Sequence, residues 1–357
     1  MDENTYRKLA EHLNRLPDGF PPSDAGEDLR LLERLFALEE AALAVHLTLD
    51  REPAEMIAAR AGLPPAQVAL RLDEMAQKGL IFSAQASDGS SLYQAAPLVI
   101  GIYEYQIKDM TPALLADYRA YRSGAQASPP VETIPQIRTI PVRESIDAQL
   151  QALPYEQVNE LVNANDRFAV AGCICRHTAK MRGKGCQAPE ESCLMFGDWA
   201  DFYVRTGRGR AIDRSEVLAI LARADAANLV LQPSNSQAIE LICCCCGCCC
   251  GALRRVKEHP RPADFVASAF IATLDTDACQ ACWTCLDRCQ MGALVAGDGH
   301  AVLKSERCIG CGLCVTTCPN KALTLERKPE TFRTQVPPTL TDTWRIIAAD
   351  QAKVQYR

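Results

Sequence analysis

Leu31, Leu35, Leu38 and Ala42 recur at the three-to-four-residue spacing of one helix face. A second helix is expected from Pro53, a favoured first helical residue, to Gly62, a favoured stop. A third follows Pro64 and Pro65, with Val68, Leu72 and Met75 on one face and Gly79 ending it. The period then changes. Leu80, Ile81 and Phe82, a polar turn at Asp88, Gly89 and Ser90, and then Leu92 with Tyr93 spell a short hairpin. Residues 123–155 hold five prolines and few apolar runs, which predicts an extended linker. The next hundred residues have a mixed period. Strands are expected over 167–175, 229–231 and 238–242. Asp213 followed by Glu216 opens a helix that carries Val217, Ile220 and Leu221. Residues 293–295 and 301–303 flank Gly297-Asp298-Gly299 as a second hairpin, and residues 343–354 read as a closing helix.

The order of helices and hairpin over residues 27–96 resembles a winged helix-turn-helix domain. Such a domain implies DNA binding, and the charge opposes it. Those seventy residues carry eleven Asp and Glu against six Lys and Arg, and the helix that would enter DNA offers only Arg71 and Lys78 beside Asp73 and Glu74. Phosphate attraction dominates affinity for DNA, so a docking or dimerisation module is the better expectation. The whole 357-residue chain has a formal charge of −6, which gives no global pull toward nucleic acid or anionic lipid.

Cysteine changes the picture. The chain has nineteen, none before Cys173. The start, MDENTYRKLAEHLNRL, is charged throughout, with neither an apolar core nor a twin arginine, and no stretch reaches the apolar length of a membrane span. A cytoplasmic, reducing and oxygen-poor setting is expected, where clustered thiols bind metal or do redox chemistry instead of pairing as disulfides.

Eight of the nineteen form two near-repeats offset by 29 residues: Cys279-x2-Cys282-x2-Cys285-x3-Cys289, and Cys308-x2-Cys311-x2-Cys314-x3-Cys318 followed by Pro319. Three thiols at two-residue gaps curl around one corner of an iron–sulfur cube. Zinc favours paired C-x2-C units and has no use for a repeated three-plus-one pattern. Residues 271–328 resemble the bacterial dicluster ferredoxins, with Gly310, Gly312 and Pro319 in place in the second repeat. The first repeat departs, with Trp283 for a small residue and Gln290 for proline. The resemblance implies two [4Fe–4S] clusters with crossed ligands. Cys279, Cys282, Cys285 and Cys318 would hold one, and Cys308, Cys311, Cys314 and Cys289 the other.

Eleven thiols are left over: Cys173, Cys175, Cys186 and Cys193, then Cys243, Cys244, Cys245, Cys246, Cys248, Cys249 and Cys250 around Gly247. Within the second group, Cys243 with Cys246, Cys245 with Cys248 and Cys246 with Cys249 have C-x2-C spacing. A subset is expected to bind one or more further iron–sulfur clusters. The alternatives are zinc held by Cys173, Cys175, Cys186 and Cys193, or thiols packed as small hydrophobes. If residues 167–175 form one strand, Cys173 and Cys175 share a face. Arg176 and His177 follow directly and place positive charge beside these thiols. Arg205, Arg208 and Arg210, spaced by Gly207 and Gly209, form a candidate anion site or an ordinary loop. No G-x-G-x-x-G follows a strand and no Walker A sequence occurs, so flavin, nicotinamide and ATP sites are not expected.

The expected fold is therefore α+β in several domains. These are a winged-helix-like segment (1–100), a helix and proline-rich linker (101–155), a central cysteine-rich segment (156–262), a ferredoxin-like segment (263–330) and a C-terminal tail or helix (331–357). The pattern of the central cysteines resembles that of anaerobe iron–sulfur proteins that join a winged helix to a C-terminal ferredoxin, a resemblance that brings no assigned task. The expected function is single-electron transfer with a redox partner protein. A homodimer through the first segment is expected, with DNA disfavoured as a partner. The alternatives are a redox-sensing regulator and an oxidoreductase with a catalytic non-cubane cluster in the central segment.

Overall fold

A computed structural model describes residues 2–125, 134–142, 145–146, 150, 152–330 and 335–355. It is an α+β structure, as expected. Two units are distinguished by their internal contacts: Met1–Thr133 with Asp201–Arg210 and Thr341–Arg357, and Ile134–Ala200 with Ala211–Leu340. The boundary expected at 262/263 falls inside the second unit.

In the first unit the apolar period over 31–42 is divided between two helices, Glu27–Leu35 and Leu38–Ala44. The chain turns extended at Phe36 and Ala37, and Glu40 closes the break by accepting from the Ala37 N–H at 2.8 Å. Helices Ala54–Ala61 and Pro65–Lys78 end at Gly62 (φ 66°) and Gly79 (φ 72°) as predicted. Both glycines take the left-handed conformation that closes a helix without a Cβ penalty. Strands β1 (Glu52–Pro53), β2 (Phe82–Gln85) and β3 (Ser91–Gln94) form an antiparallel sheet in the order β1-β3-β2. Ala86 and Ser90 close its hairpin, with Asp88 accepting from the Ser90 N–H.

Both basic residues of Pro65–Lys78 are paired with carboxylates. Arg71 meets Glu39 at 3.3 Å, and Lys78 meets the buried Glu40 at 2.6 Å. The candidate anion loop also differs from expectation. Arg208 is buried and donates to the carbonyls of Tyr105 (2.6 Å) and Gln77 (2.8 Å), while Arg205 donates to Ser83. These arginines cap backbone carbonyls inside the unit. The Phe202 ring packs against Phe82 in a tilted arrangement, with centroids 5.1 Å apart.

His12, in helix Asp2–Asn14, has a buried Nε2 with no hydrogen-bond partner among the described residues. Burial, then the charges of Arg15 and His46, push its pKa from 6.5 down to about 4. The unfolded chain therefore takes up a proton below pH 6.5 that the folded unit refuses until about pH 4. The stability His12 confers is complete above pH 6.5 and is lost as the pH falls toward 4. At about 1.36 kcal/mol per pKa unit the loss is of order 2–3 kcal/mol. Denaturant midpoints measured from pH 7 to pH 4 should fall on the acid side, and His12→Gln should flatten that slope.

The second unit is built on four neighbouring strands in the order β4-β5-β8-β7: β4 (Phe168–Gly172), β5 (Glu191–Phe196), β7 (Val230–Pro233) and β8 (Leu241–Cys245), with β6 (Gly209–Ile212), which starts before Ala211, hydrogen-bonded to β4. The helix over Arg214–Ala226 starts as predicted. Asp213 accepts from the Glu216 N–H at 2.8 Å, and Val217, Ile220 and Leu221 are buried. Part of the expected linker (126–133, 143–144, 147–149 and 151) lies outside the described residues. Residues 137–140 are extended, as expected, but paired. Ile137 bridges Ser234 and Ile140 bridges Leu231, which covers the edge strand β7.

The strand expected over 167–175 stops at Gly172, and helix Ile174–Met181 begins with Cys173 as its N-cap. Cys173 and Cys175 therefore do not share a strand face. The rest of the unit contains β9 (Phe270–Leu274) paired with β12 (Leu323–Arg327), and the predicted hairpin of β10 (Leu294–Ala296) and β11 (Ala301–Leu303). Arg288 ties this part to the sheet helices by pairing with Asp225 at 2.5 Å and donating to the Leu313 carbonyl. Ile309, Leu313 and Met291 share one apolar core with the sheet. Among the described residues no helix is long and apolar enough to cross a membrane. The expected closing helix runs over Leu340–Gln355.

Candidate metal centres

The two cysteine repeats fold alike. The chain is left-handed at Gly310 (φ 70°) and Gly312 (φ 74°), between the first three thiols of the second repeat. It is left-handed at the same places of the first repeat, at Ala281 (φ 51°) and Trp283 (φ 63°), and again at the matched pair Gly292 and Lys321. These turns wind each three-cysteine loop around a hollow. The duplication read from spacing is thus also present in the dihedrals, even where a side chain makes the conformation costly.

Two cavities result. One is lined by Cys279, Cys282, Cys285 and Cys318. The other is lined by Cys289, Cys308, Cys311 and Cys314. In each, the fourth thiol comes from the opposite repeat. Backbone N–H groups face the sulfurs: Ala293 donates to Cys289 at 3.1 Å, Ala272 to Cys308 at 3.3 Å and Ala301 to Cys279 at 3.5 Å. Such donors suit an anionic sulfur ligand. Burial pushes the Cys311 thiol up to about 12, so it becomes a thiolate at neutral pH only beside a compensating cation. A soft, iron-rich group suits this set of four thiol donors. Trp283 lines the first cavity and packs on its apolar surround.

Gly310 has no room for the Cβ that its counterpart Ala281 carries. A Cβ at Gly310 would overlap the Phe270 carbonyl oxygen, whereas Gly299 (φ 76°) has open space. Gly310→Ala should therefore lower unfolding stability by a few kcal/mol, and Gly299→Ala by only about 1–2 kcal/mol for its dihedral. Thermal unfolding of the two variants checks the difference.

The eleven central thiols separate into three groups. Cys186, Cys246, Cys248 and Cys249 have all four Sγ atoms within 4.8 Å of one another. Cys173, Cys175, Cys250, Cys245, Cys243 and Cys193 form a second group, in which each thiol influences the titration of the next in that order. Cys193 and Cys243 are directly opposed on β5 and β8. Cys244 points to the other face of β8, where it packs in the core beside Ile242. The set Cys173, Cys175, Cys186 and Cys193, considered for zinc from sequence, is therefore split, because Cys186 lies with the later cysteines.

Two helix starts converge on the six-thiol group, Ile174–Met181 capped by Cys173 and Gly251–Glu258 capped by Cys250. The backbone N–H groups of Arg176, Gly251 and Leu253 favour the thiolate forms of Cys173, Cys175 and Cys250. Hydrogen bonds from Cys193 and Cys245 hold Cys243 well below the usual thiol range. Those from Cys175 and Cys245 do the same for Cys250. In the other group, burial pushes the Cys246 thiol up. Hydrogen bonds from the Cys249 N–H, the Cys248 thiol and Arg176 outweigh it and bring Cys246 down to about 7.

Arg176 is 0% exposed. It donates to the Cys244 carbonyl at 3.1 Å, to the Cys246 sulfur at 3.7 Å and to Ser192. Its charge also acts on Glu190, which is itself paired with Lys180. The sequence pointed to this residue through its place after Cys175. It gave no sign of the part played by Gln290, noted only as a missing proline. Gln290 Oε1 accepts from the Gly247 N–H at 2.7 Å and its amide donates to the Asn228 carbonyl at 2.8 Å, so it pins the seven-cysteine loop beside Cys289.

Residues 301–324 match the family model described as a 4Fe-4S binding domain, a span that contains the four cysteines of the second repeat. No curated protein and no solved structure matches the chain. The C-terminal region is of ferredoxin type, and its thiols suit [4Fe–4S] clusters.

Proposed function

We propose that this protein is an electron-transfer component that takes up and releases single electrons at two [4Fe–4S] clusters and at a further cluster in the central segment. Cys279, Cys282, Cys285 and Cys318 hold one C-terminal cluster; Cys289, Cys308, Cys311 and Cys314 hold the other. The observation that carries this reading is the crossed lining of the two cavities, three thiols from one repeat and one from the other. Each cluster, when bound, exchanges one electron without making or breaking bonds to a substrate. The chain's own residues hold the irons, point N–H groups at the sulfurs and keep water away, Trp283 at the first site and Ile309 with Leu313 at the second. The central cluster belongs to the six-thiol group, where two helix starts offset negative charge.

The winged-helix-like segment serves as a docking or dimerisation module for a redox partner protein. The ion pairs that occupy Arg71 and Lys78 favour this use over DNA binding. Stopped-flow mixing of the anaerobically reduced protein with a one-electron acceptor tests the reading. Fast reoxidation is expected, with most of its amplitude lost in Cys282→Ala/Cys311→Ala. Reoxidation that is absent, or unchanged in that variant, contradicts it.

A further inference from the structure

We infer that Cys186, Cys246, Cys248 and Cys249 bind one tetrahedral zinc ion, separate from every iron–sulfur cluster of the chain. The inference does not rest on the electron-transfer reading, because zinc has no redox chemistry.

Size is the first argument. Zinc–sulfur bonds of about 2.3 Å in a tetrahedron place neighbouring sulfurs about 3.8 Å apart. The Cys186 and Cys246 sulfurs are 3.8 Å apart, the Cys248 and Cys249 sulfurs 3.7 Å, and all four lie within 4.8 Å of one another. The same structure supplies the contrast. Among the described residues no other group of possible ligands closes to this size. The thiols of both C-terminal foursomes line pockets and do not close to this size. A cube of four irons needs its ligands spread apart; one ion does not.

Charge is the second argument. Arg176 is fully buried and reaches the Cys246 sulfur at 3.7 Å, while Glu190, a carboxylate its charge acts on, is itself paired with Lys180. Four neutral thiols would leave the buried guanidinium with only that shared carboxylate to offset it, and buried charges favour a close counter-charge. Binding converts four thiols and Zn²⁺ into a tetrathiolate site of charge −2, with four protons released to solvent. Beside Arg176 the pair then carries −1.

Rigidity is the third. Gly247, inside the loop, donates to Gln290 Oε1 at 2.7 Å, and a Cβ there would press against the Gln290 carbonyl at 2.8 Å. Gln290 fixes the loop from outside, as a second layer of hydrogen bonds does around structural metal sites. Because Gln290 follows Cys289, the zinc loop also braces a cluster ligand, which gives a redox-inert ion a structural task.

The test uses the full chain, produced without oxygen in medium that contains both iron and zinc. Metal counting should find about one zinc per chain, and X-ray absorption at the zinc edge should show four sulfurs at about 2.3 Å. Cys248→Ser should lose that zinc and keep its iron. Cys193→Ser, in the six-thiol group, should keep its zinc. The absorption measurement on the unaltered protein stands even if a variant fails to fold. Zinc-free protein, zinc bound by oxygen or nitrogen, or a Cys248→Ser variant that loses about four irons would overturn the proposal.

Discussion

Replacing Cys318 by alanine is expected to empty the cluster site of the first repeat, although Cys318 belongs to the second. About four irons per chain should be lost, and the cluster held by Cys289, Cys308, Cys311 and Cys314 should persist. The reason is the crossing of the fourth thiols, since Cys318 lines the cavity formed by Cys279, Cys282 and Cys285. Cys289→Ala should give the mirror result and remove the other cluster, even though the span matched by the 4Fe-4S family model excludes Cys289. Iron counting with electron paramagnetic resonance distinguishes the sites, because Trp283 lines only the first. Ligation within each repeat predicts the reverse. Cys318→Ala would then spare the first cluster and damage the second.

Arg176→Met should strip metal from the central segment and leave the C-terminal clusters loaded. The guanidinium lies beside both central thiol groups. It donates to Cys246 of the four-thiol group, and it draws charge interactions from Cys173 and Cys245 of the six-thiol group. Removing one partner of a buried charged set costs about 3–5 kcal/mol. At about 1.4 kcal/mol per tenfold, that weakens metal binding by more than about a hundredfold. Arg176→Lys keeps the charge but loses the fork that reaches Cys246, Cys244 and Ser192 together, so partial metal retention is expected. Metal counts for both variants, with the C-terminal paramagnetic signals as internal reference, check the order. Full central metal in Arg176→Met contradicts the role given to this residue.

Local rules carried far in this chain. The glycine stops at 62 and 79, the Asp213 cap and both hairpins depend on neighbours within a few residues, and each lies where spacing predicts it. The repeats were legible for the same reason, as short loops around one centre. Decisions made by distant residues were not legible. The strand at 168–172 ends early because the chain must turn into a helix whose start faces the thiols, and no periodicity in FAVAGCIC marks that corner. Dense thiol spacing within 243–250 allowed many C-x2-C pairs. Strand alternation removed Cys244, and the distant Cys186 selected Cys246, Cys248 and Cys249. Arg208 reads as a loop cation from its glycine neighbours, yet it is buried against carbonyls more than a hundred residues away.

The central claim is that two iron–sulfur cubes in the C-terminal region move single electrons. Its most direct test is an anaerobic reductive titration of the full chain, followed by electron paramagnetic resonance and paired with iron and sulfide counts. At least about eight irons and eight sulfides per chain are expected, with signals of reduced [4Fe–4S] centres that grow one electron at a time. Colourless protein that stays iron-poor and silent after reconstitution would contradict the account.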